Sequence, residues 1–451
     1  MNTATPLITK TGTDAVYRIA GGQPVKGEIT CYGAKNFINK AMVAACLGDT
    51  PTVLTNVPPI GETQILMEML TILGAKVTFD VTAMRMEIDP RPIATHVMKM
   101  PDSGSNRIPI LFIPILLHRF AKAQVPVLDG DAIGARKVDF HIEAARLFGA
   151  TVAEVDHGFY AESQGRLKAT HYTMPYPSVG ATETCLFLAV RAKGTTVITN
   201  AAMEPEIMEL ITMLRGMGAI IFVGQNRELR IEGVETLHGT HMHLLGDRIE
   251  AASWASLACA SNGRITVRGI LPNTLGNFLS TYRQVGGGYT IEDEQTITFF
   301  RERPLTPILL ETDVFPGFST DWQQPFAVLL TQAEGMSVIH ETVYESRFGY
   351  TKVLNTLGAK IQLSSHCLGS KCRFAHHGFP HSALINGATP LKAISNPIEV
   401  PDLRAGLAYI IAAAIADGES TLTHVDRVER GYGDIVARLK DFSCDIQRVG
   451  K

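Results

Sequence analysis

The feature that most restricts what this chain can fold into is a block of roughly seventy residues that recurs along its whole length. The copies centre on Leu73-Gly74-Ala75-Lys76-Val77, Phe148-Gly149-Ala150-Thr151-Val152, Met217-Gly218-Ala219-Ile220-Ile221, Val285-Gly286-Gly287-Gly288-Tyr289 and Leu357-Gly358-Ala359-Lys360-Ile361. A degenerate sixth copy reads Phe442-Ser443-Cys444-Asp445-Ile446. Each follows a stretch with apolar residues at helical spacing, such as Ile65, Met69, Leu70 and Leu73, which predicts a helix with one buried face. The Gly then caps that helix in a left-handed conformation, which a residue without Cβ adopts at little cost, and a strand follows. Further helices are expected at 41–47, 179–192, 251–261, 324–331 and 403–416, so each block reads as an α/β module of about two helices and four strands.

Six modules taken three at a time give two similar α/β domains, with ligand expected in the cleft between them. The expected boundaries are 35–245 for one domain and 1–34 with 246–451 for the other. The 451-residue length and 45% hydrophobic content suit a globular chain of two domains. A net charge of -3 without a run of Lys or Arg argues against nucleic acid as a partner. The apolar runs at 108–117 and 407–416 are too short to span a membrane, and residues 1–20 have no apolar core, so a cytoplasmic protein without a membrane partner is expected. Seven scattered Cys read as reduced thiols rather than disulfides. His366, Cys367, Cys372, His376, His377 and His381 place soft ligands in one short span, but the spacing fits no standard zinc motif, and the segment is expected to be a solvated loop without metal.

Four segments carry possible chemistry. Gly33-Ala34-Lys35-Asn36 ends a strand at 28–31 and precedes a helix expected at 39–47; a Lys beside unpaired backbone N–H groups suits phosphate or carboxylate, although an exposed Lys on a turn looks the same. The loop from Asp129 to Asp139 mixes three carboxylates with Arg136 and Lys137 around flexible glycines, a composition shared by lids and by solvated turns. Asp321 stands just before a helix, where an ordinary cap would also stand. Arg347, Asp402-Leu403-Arg404 and Arg430-Gly431-Tyr432 are expected at helix starts in the last two modules, a recurrence that would point several cations at one cleft.

These segments, with Asn56-Val57-Pro58, Ala132-Ile133-Gly134-Ala135-Arg136, Pro177-Ser178-Val179-Gly180-Ala181-Thr182, Asn200-Ala201-Ala202, Glu204-Pro205-Glu206, Asp247-Arg248-Ile249-Glu250 and Thr320-Asp321, make the chain resemble the UDP-N-acetylglucosamine 1-carboxyvinyltransferase family of enolpyruvyl transferases, from about residue 19 to 449. The resemblance implies two inside-out α/β barrels of three modules each. It implies transfer of the enolpyruvyl group of phosphoenolpyruvate to the 3-hydroxyl of UDP-N-acetylglucosamine, with phosphate released, in the first committed step of peptidoglycan synthesis. No organic cofactor or metal is implied, and the oligomeric state is left open.

By the same resemblance Lys35, Arg136 and Arg430 would hold phosphoenolpyruvate, Asn36 and Arg107 would orient both substrates, and Arg248, Arg347 and Arg404 would add charge, with Asp402 among the catalytic group. The nucleotide would lie along Arg136, Lys137, Val138, Asp139 and Phe140, with its diphosphate on the N–H groups of Ser178, Val179 and Gly180. Val343 would touch the sugar through its backbone, Asp321 would take the proton of the sugar hydroxyl, and the loop 127–137 would close as a lid. Asp131 stands where most of the family has Cys. A carboxylic acid can donate a proton there but is no thiolate nucleophile, so insensitivity to fosfomycin, which alkylates that Cys, is expected. Gly61-Glu62-Thr63-Gln64, Tyr176, Arg427-Val428-Glu429 and a long segment at 367–396 depart from the family pattern and keep open a paralogue acting on another nucleotide hydroxyl, or an inactive nucleotide-sugar-binding paralogue.

Overall fold

The computed structural model describes residues 15–104, 106–128, 138–439 and 441–450. Asp131, Arg136, Lys137 and most of the expected lid lie outside the described residues. The described chain divides into two compact units, one of residues 33–128 and 138–245, the other of 15–32 and 246–450.

Six small sheets recur with one strand order among the described residues. In the first unit His241–His243 runs parallel to Thr52–Thr55, which pairs antiparallel with Arg85–Asp89, itself antiparallel to Lys76–Asp80. His171–Thr173, Thr195–Thr199, Leu229–Glu232 and Ile220–Val223 repeat the arrangement. In the third sheet, Lys122–Pro126, Gly158–Ser163 and Ala150–Val155, a single Val97–Gln124 bridge stands where the fourth strand would be. The second unit repeats the order with Lys26–Thr30, Arg264–Arg268, Thr296–Arg301 and Gly287–Asp293, and again with Leu309–Glu311, Gly335–His340, Ser382–Gly387 and Ile361–Ser364. In its third sheet Val16–Ala20 joins Glu419–Thr423 to Asp445–Val449, so residues distant in sequence complete the last module.

One helix per module is apolar almost all round. In the second unit Arg248–Ala260, Gln323–Leu330 and Leu403–Ile415 are buried along nearly their whole length and pack on one another. In the first unit Lys35–Ala45, Pro109–Phe120 and Val179–Ala189 hold the equivalent places. The first of these begins at Lys35, four residues earlier than the sequence pattern suggests. The sheets cover these helices with one face each, which is why strands such as Val16–Ala20 alternate buried and exposed positions.

The repeated glycines end the outer helices as their spacing predicts: Gly74, Gly149, Gly218, Gly286 and Gly358 all have φ between 94° and 117°. Their surroundings differ. A Cβ on Gly74 would lie 2.8 Å from the Pro92 carbonyl oxygen, whereas one on Gly149 would meet nothing within 4 Å. Gly149→Ala is therefore expected to cost about 1 kcal/mol from backbone strain alone, and Gly74→Ala distinctly more. Chemical unfolding of the two variants checks this, and equal costs would show that the carbonyl approach does not matter.

Candidate active site

Lys35, Asn36, Ser178, Val179, Gly180, Arg248, Asp321, Asp402 and Arg404 stand at or just ahead of the N-termini of the buried helices, where unpaired N–H groups and the helix dipole favour anions. In the second unit Asp247 accepts from the N–H groups of Ile249 and Glu250, starting the helix that carries Arg248. Asp402 accepts from the N–H groups of Arg404 (2.9 Å) and Ala405 (3.0 Å), so its carboxylate is a cap that sets out Arg404. Ser319 caps the short turn Thr320–Trp322 that leads into the third helix and places Asp321.

Asp321 is the centre of this cluster. Arg347 Nη2 donates to its Oδ1 at 2.5 Å and Arg404 Nη2 to its Oδ2 at 3.1 Å, with both arginines buried. Arg404 also donates to the Tyr432 hydroxyl at 2.6 Å. Burial opposes the charge on Arg404, but Tyr432, Asp321 and Asp247 outweigh it and raise its affinity for the proton. Arg248 lies 5.1 Å from the centre of the Trp322 ring, whose Nε1 donates to the Arg248 carbonyl. Two arginines depart from expectation: Arg347 lies ahead of the short helix Thr351–Thr356 rather than at a helix start, and Arg430 sits half-buried in the last turn of Asp426–Tyr432.

Glu341, which sequence did not single out, holds this cluster in shape. Its buried carboxylate accepts from Thr320 Oγ1, Gln323 Nε2 and the N–H groups of Val343 and Tyr344, filling its four acceptor positions. Burial raises its pKa, against the lowering effect of Arg347. The Val343 carbonyl accepts from Arg373, so the backbone expected to meet a sugar already has a partner at both its N–H and its C=O.

The first unit repeats the principle with different residues. Lys35 Nζ lies 3.9 Å from Glu62, whose other oxygen accepts from Asn106 Nδ2 at 2.9 Å. Glu62 and Asn106 are buried, and neither was marked by sequence as part of a site; Arg107 follows directly, ahead of the helix Pro109–Phe120. Asn36 gives its carbonyl to Lys40 at 2.6 Å, and Lys40 in turn faces Glu183 at 3.7 Å. Ser178 caps Val179–Ala189, leaving Val179 and Gly180 in its first turn. A Cβ on Gly180 would come within 3.0 Å of the His141 ring, so Gly lets this helix approach the helix Asp139–Leu147. His141 bonds Thr184 Oγ1 at 2.7 Å, and burial beside Arg107 holds its pKa down to about 4. Val138 and Phe140 are half-buried against this unit's core, and Asp139 is exposed.

Burial raises the Glu183 carboxyl from its ordinary 4.5 to about 7, with Lys40 opposing. The folded chain then holds a proton that the unfolded chain has lost between those two values, so this group's contribution is fully present below about pH 4.5 and is lost as pH rises to about 7. Glu183→Gln removes that part of the pH dependence and is expected to stabilise the protein at pH 8 relative to pH 5 by up to about 3 kcal/mol. Unfolding midpoints at the two pH values check it, and an unchanged difference would contradict the buried, proton-binding carboxyl.

Comparison with known proteins fits this arrangement. The family model described as EPSP synthase (3-phosphoshikimate 1-carboxyvinyltransferase) matches residues 19–439. A UDP-N-acetylglucosamine 1-carboxyvinyltransferase of Protochlamydia amoebophila is 45% identical, with 96% of this chain and 94% of that protein covered. One of Chlamydia pneumoniae is 43% identical over the same shares. Among solved structures, the enolpyruvyl transferase NikO from Streptomyces tendae superposes with a TM-score of 0.82 at 22% identity over 97% of this chain and 99% of that one. An EPSP synthase from Acinetobacter baumannii gives 0.68 at 15% identity, covering 96% and 99%. No helix among the described residues is long and apolar enough to cross a membrane. The repeated modules, the charged helix ends and the near full-length matches lead to one conclusion: the chain belongs to the UDP-N-acetylglucosamine 1-carboxyvinyltransferase family, within the broader fold family of EPSP synthase.

Proposed function

We propose that this protein transfers the enolpyruvyl group of phosphoenolpyruvate to the 3-hydroxyl of UDP-N-acetylglucosamine and releases phosphate, committing that sugar to peptidoglycan synthesis in the cytoplasm. The observation that carries this reading is the Asp321 carboxylate gripped by Arg347 and Arg404 at the end of a buried helix. The two guanidinium groups fix the plane in which the carboxylate is presented. The relatives' activity, carried over 96% of the chain, gives that carboxylate a task.

In the proposed mechanism Asp131 gives a proton to the methylene carbon of phosphoenolpyruvate as Asp321 takes the proton of the sugar hydroxyl, whose oxygen bonds to the adjacent carbon. Loss of a proton from the new methyl group and departure of phosphate restore the double bond. Lys35, Arg136 and Arg430 hold the phosphate and carboxylate, Arg107 and Asn36 orient both substrates, and Arg248, Arg347 and Arg404 add positive charge where the leaving group accumulates negative charge. The nucleotide runs along Arg136 to Phe140, with Asp139 toward the base and the diphosphate on Ser178, Val179 and Gly180. Val343 can still meet the sugar through the second lone pair of its carbonyl. Closure of the segment 127–137 and insensitivity to fosfomycin belong to the same proposal, as do two inside-out barrels as the finer description of the fold.

Phosphate release from phosphoenolpyruvate, measured with UDP-N-acetylglucosamine, UMP or shikimate 3-phosphate supplied in turn, tests the reading. Release only with UDP-N-acetylglucosamine is expected. Release with UMP would move the chemistry to a free nucleotide, and silence with all three would make the protein an inactive binding paralogue.

A further inference from the structure

The hairpins that join the last two strands of a module are short at 81–84, 156–157, 224–228 and 294–295, but in the fifth module the connection runs through residues 365–381. Loops of this length without regular structure need something to hold them. This one folds back on its own sheet: Ser370 N–H donates to Glu311 at 2.6 Å, and Leu368 N–H donates to Ser382 Oγ at 3.3 Å. In doing so it brings Cys367 and Cys372 up to His340, at the end of the central strand Gly335–His340, with a ligand atom of each within 4.8 Å of the others, and it sets His381 Nε2 against Cys367 Sγ. His381 is fully buried and the two Cys are half-buried, which corrects the expectation of a solvated His-rich loop for this part of the segment.

The geometry points to a structural metal site, of the zinc class, formed by His340, Cys367 and Cys372, with His381 moving in from beside Cys367 to complete a tetrahedron. Cys367 and Cys372 sulfurs lie 3.7 Å apart, and Cys367 Sγ lies 3.4 Å from His381 Nε2. Tetrahedral coordination with ordinary zinc bond lengths sets sulfur–sulfur edges of about 3.8 Å and sulfur–nitrogen edges of about 3.5 Å. A disulfide would need the sulfurs at about 2.05 Å.

The hydrogen bonds around the histidines supply an independent observation. Ser382 Oγ gives its own proton to the His366 carbonyl at 2.7 Å, so His340 Nδ1, 2.9 Å away, must donate to it. That leaves a lone pair on His340 Nε2, which is buried and has no hydrogen-bond partner. His381 Nδ1 faces the Phe379 carbonyl at 3.1 Å, which can only accept, so the lone pair of His381 is on Nε2, toward Cys367. Each imidazole is thus oriented by a hydrogen bond from its far nitrogen, as metal-bound histidines are. The Phe374 N–H donates to Cys372 Sγ at 3.3 Å, a contact a thiolate accepts better than a thiol, and the two imidazole lone pairs and two sulfurs converging here are what a divalent metal resolves, with loss of the thiol protons on binding. The site lies apart from Asp321, but Arg373 within the loop donates to the Val343 carbonyl, so the metal would also pin the backbone that leads to Arg347.

The full-length chain, purified without a polyhistidine tag and dialysed against metal-free buffer, is expected to retain about one zinc per molecule by elemental analysis. Replacing that zinc with Co²⁺ should give the intense visible bands and thiolate charge-transfer absorption of tetrahedral coordination. Cys367→Ser with Cys372→Ser should lose the metal and the spectrum while leaving the Glu341 cluster, and phosphate release, measurable. Absence of retained zinc together with a weak octahedral cobalt spectrum would overturn the proposal on the unaltered protein, whether or not the variant folds. So would a thiol titration of the denatured protein finding two fewer than the seven free cysteines.

Discussion

The carboxylate of Asp321 between Arg347 and Arg404 is the interaction on which the rest of this account turns. Burying two guanidinium groups is costly unless each is paired, and truncating one partner would strand charge in a dry place. The fold meets that cost with a layered set of acceptors: Tyr432 behind Arg404, and Glu341 behind the backbone that leads to Arg347. Two of the four donors to Glu341, Thr320 and Gln323, flank Asp321, and the other two, the N–H groups of Val343 and Tyr344, belong to the segment that leads to Arg347. Its position makes it a positioning residue: loss of any donor would loosen the angle at which Asp321 is presented.

The module explains why chemistry gathers where it does. A helix buried on all sides can expose only its ends, and its N-terminal end carries unpaired N–H groups and a partial positive charge. Placing Lys35, Arg248 or Arg404 in the first turn sets a cation against the dipole, an arrangement unfavourable in an empty helix end and favourable once an anion arrives. Substrates rich in phosphate and carboxylate suit such ends. Repeating the module six times multiplies them without new folding principles, and the caps Asp247, Ser178 and Asp402 keep each helix starting at the residue that matters.

Much of the architecture was legible in sequence because its signals are local. Gly74, Gly149, Gly218, Gly286 and Gly358 mark helix ends by a conformation most other residues resist. The supporting residues were less visible because their partners are remote in the chain. Glu62 meets Asn106, and Glu341 meets Thr320 and Gln323; no local pattern announces such pairs. Glu62 was noticed only as a departure from a family pattern. The surroundings of the histidine and cysteine segment were hidden for the same reason: His340, which lies against Cys367 and Cys372, comes from another strand.

The most direct measurement of the central claim is steady-state turnover by Asp321→Asn with calorimetric binding of UDP-N-acetylglucosamine alongside. The substitution keeps the shape of the side chain and removes its capacity to take a proton. With Asp321 as the general base, kcat falls about 10²- to 10⁴-fold and acceptor binding is nearly unchanged. Turnover near the level of the unaltered enzyme would contradict it, and would leave Asp321 as a structural counter-ion to Arg347 and Arg404.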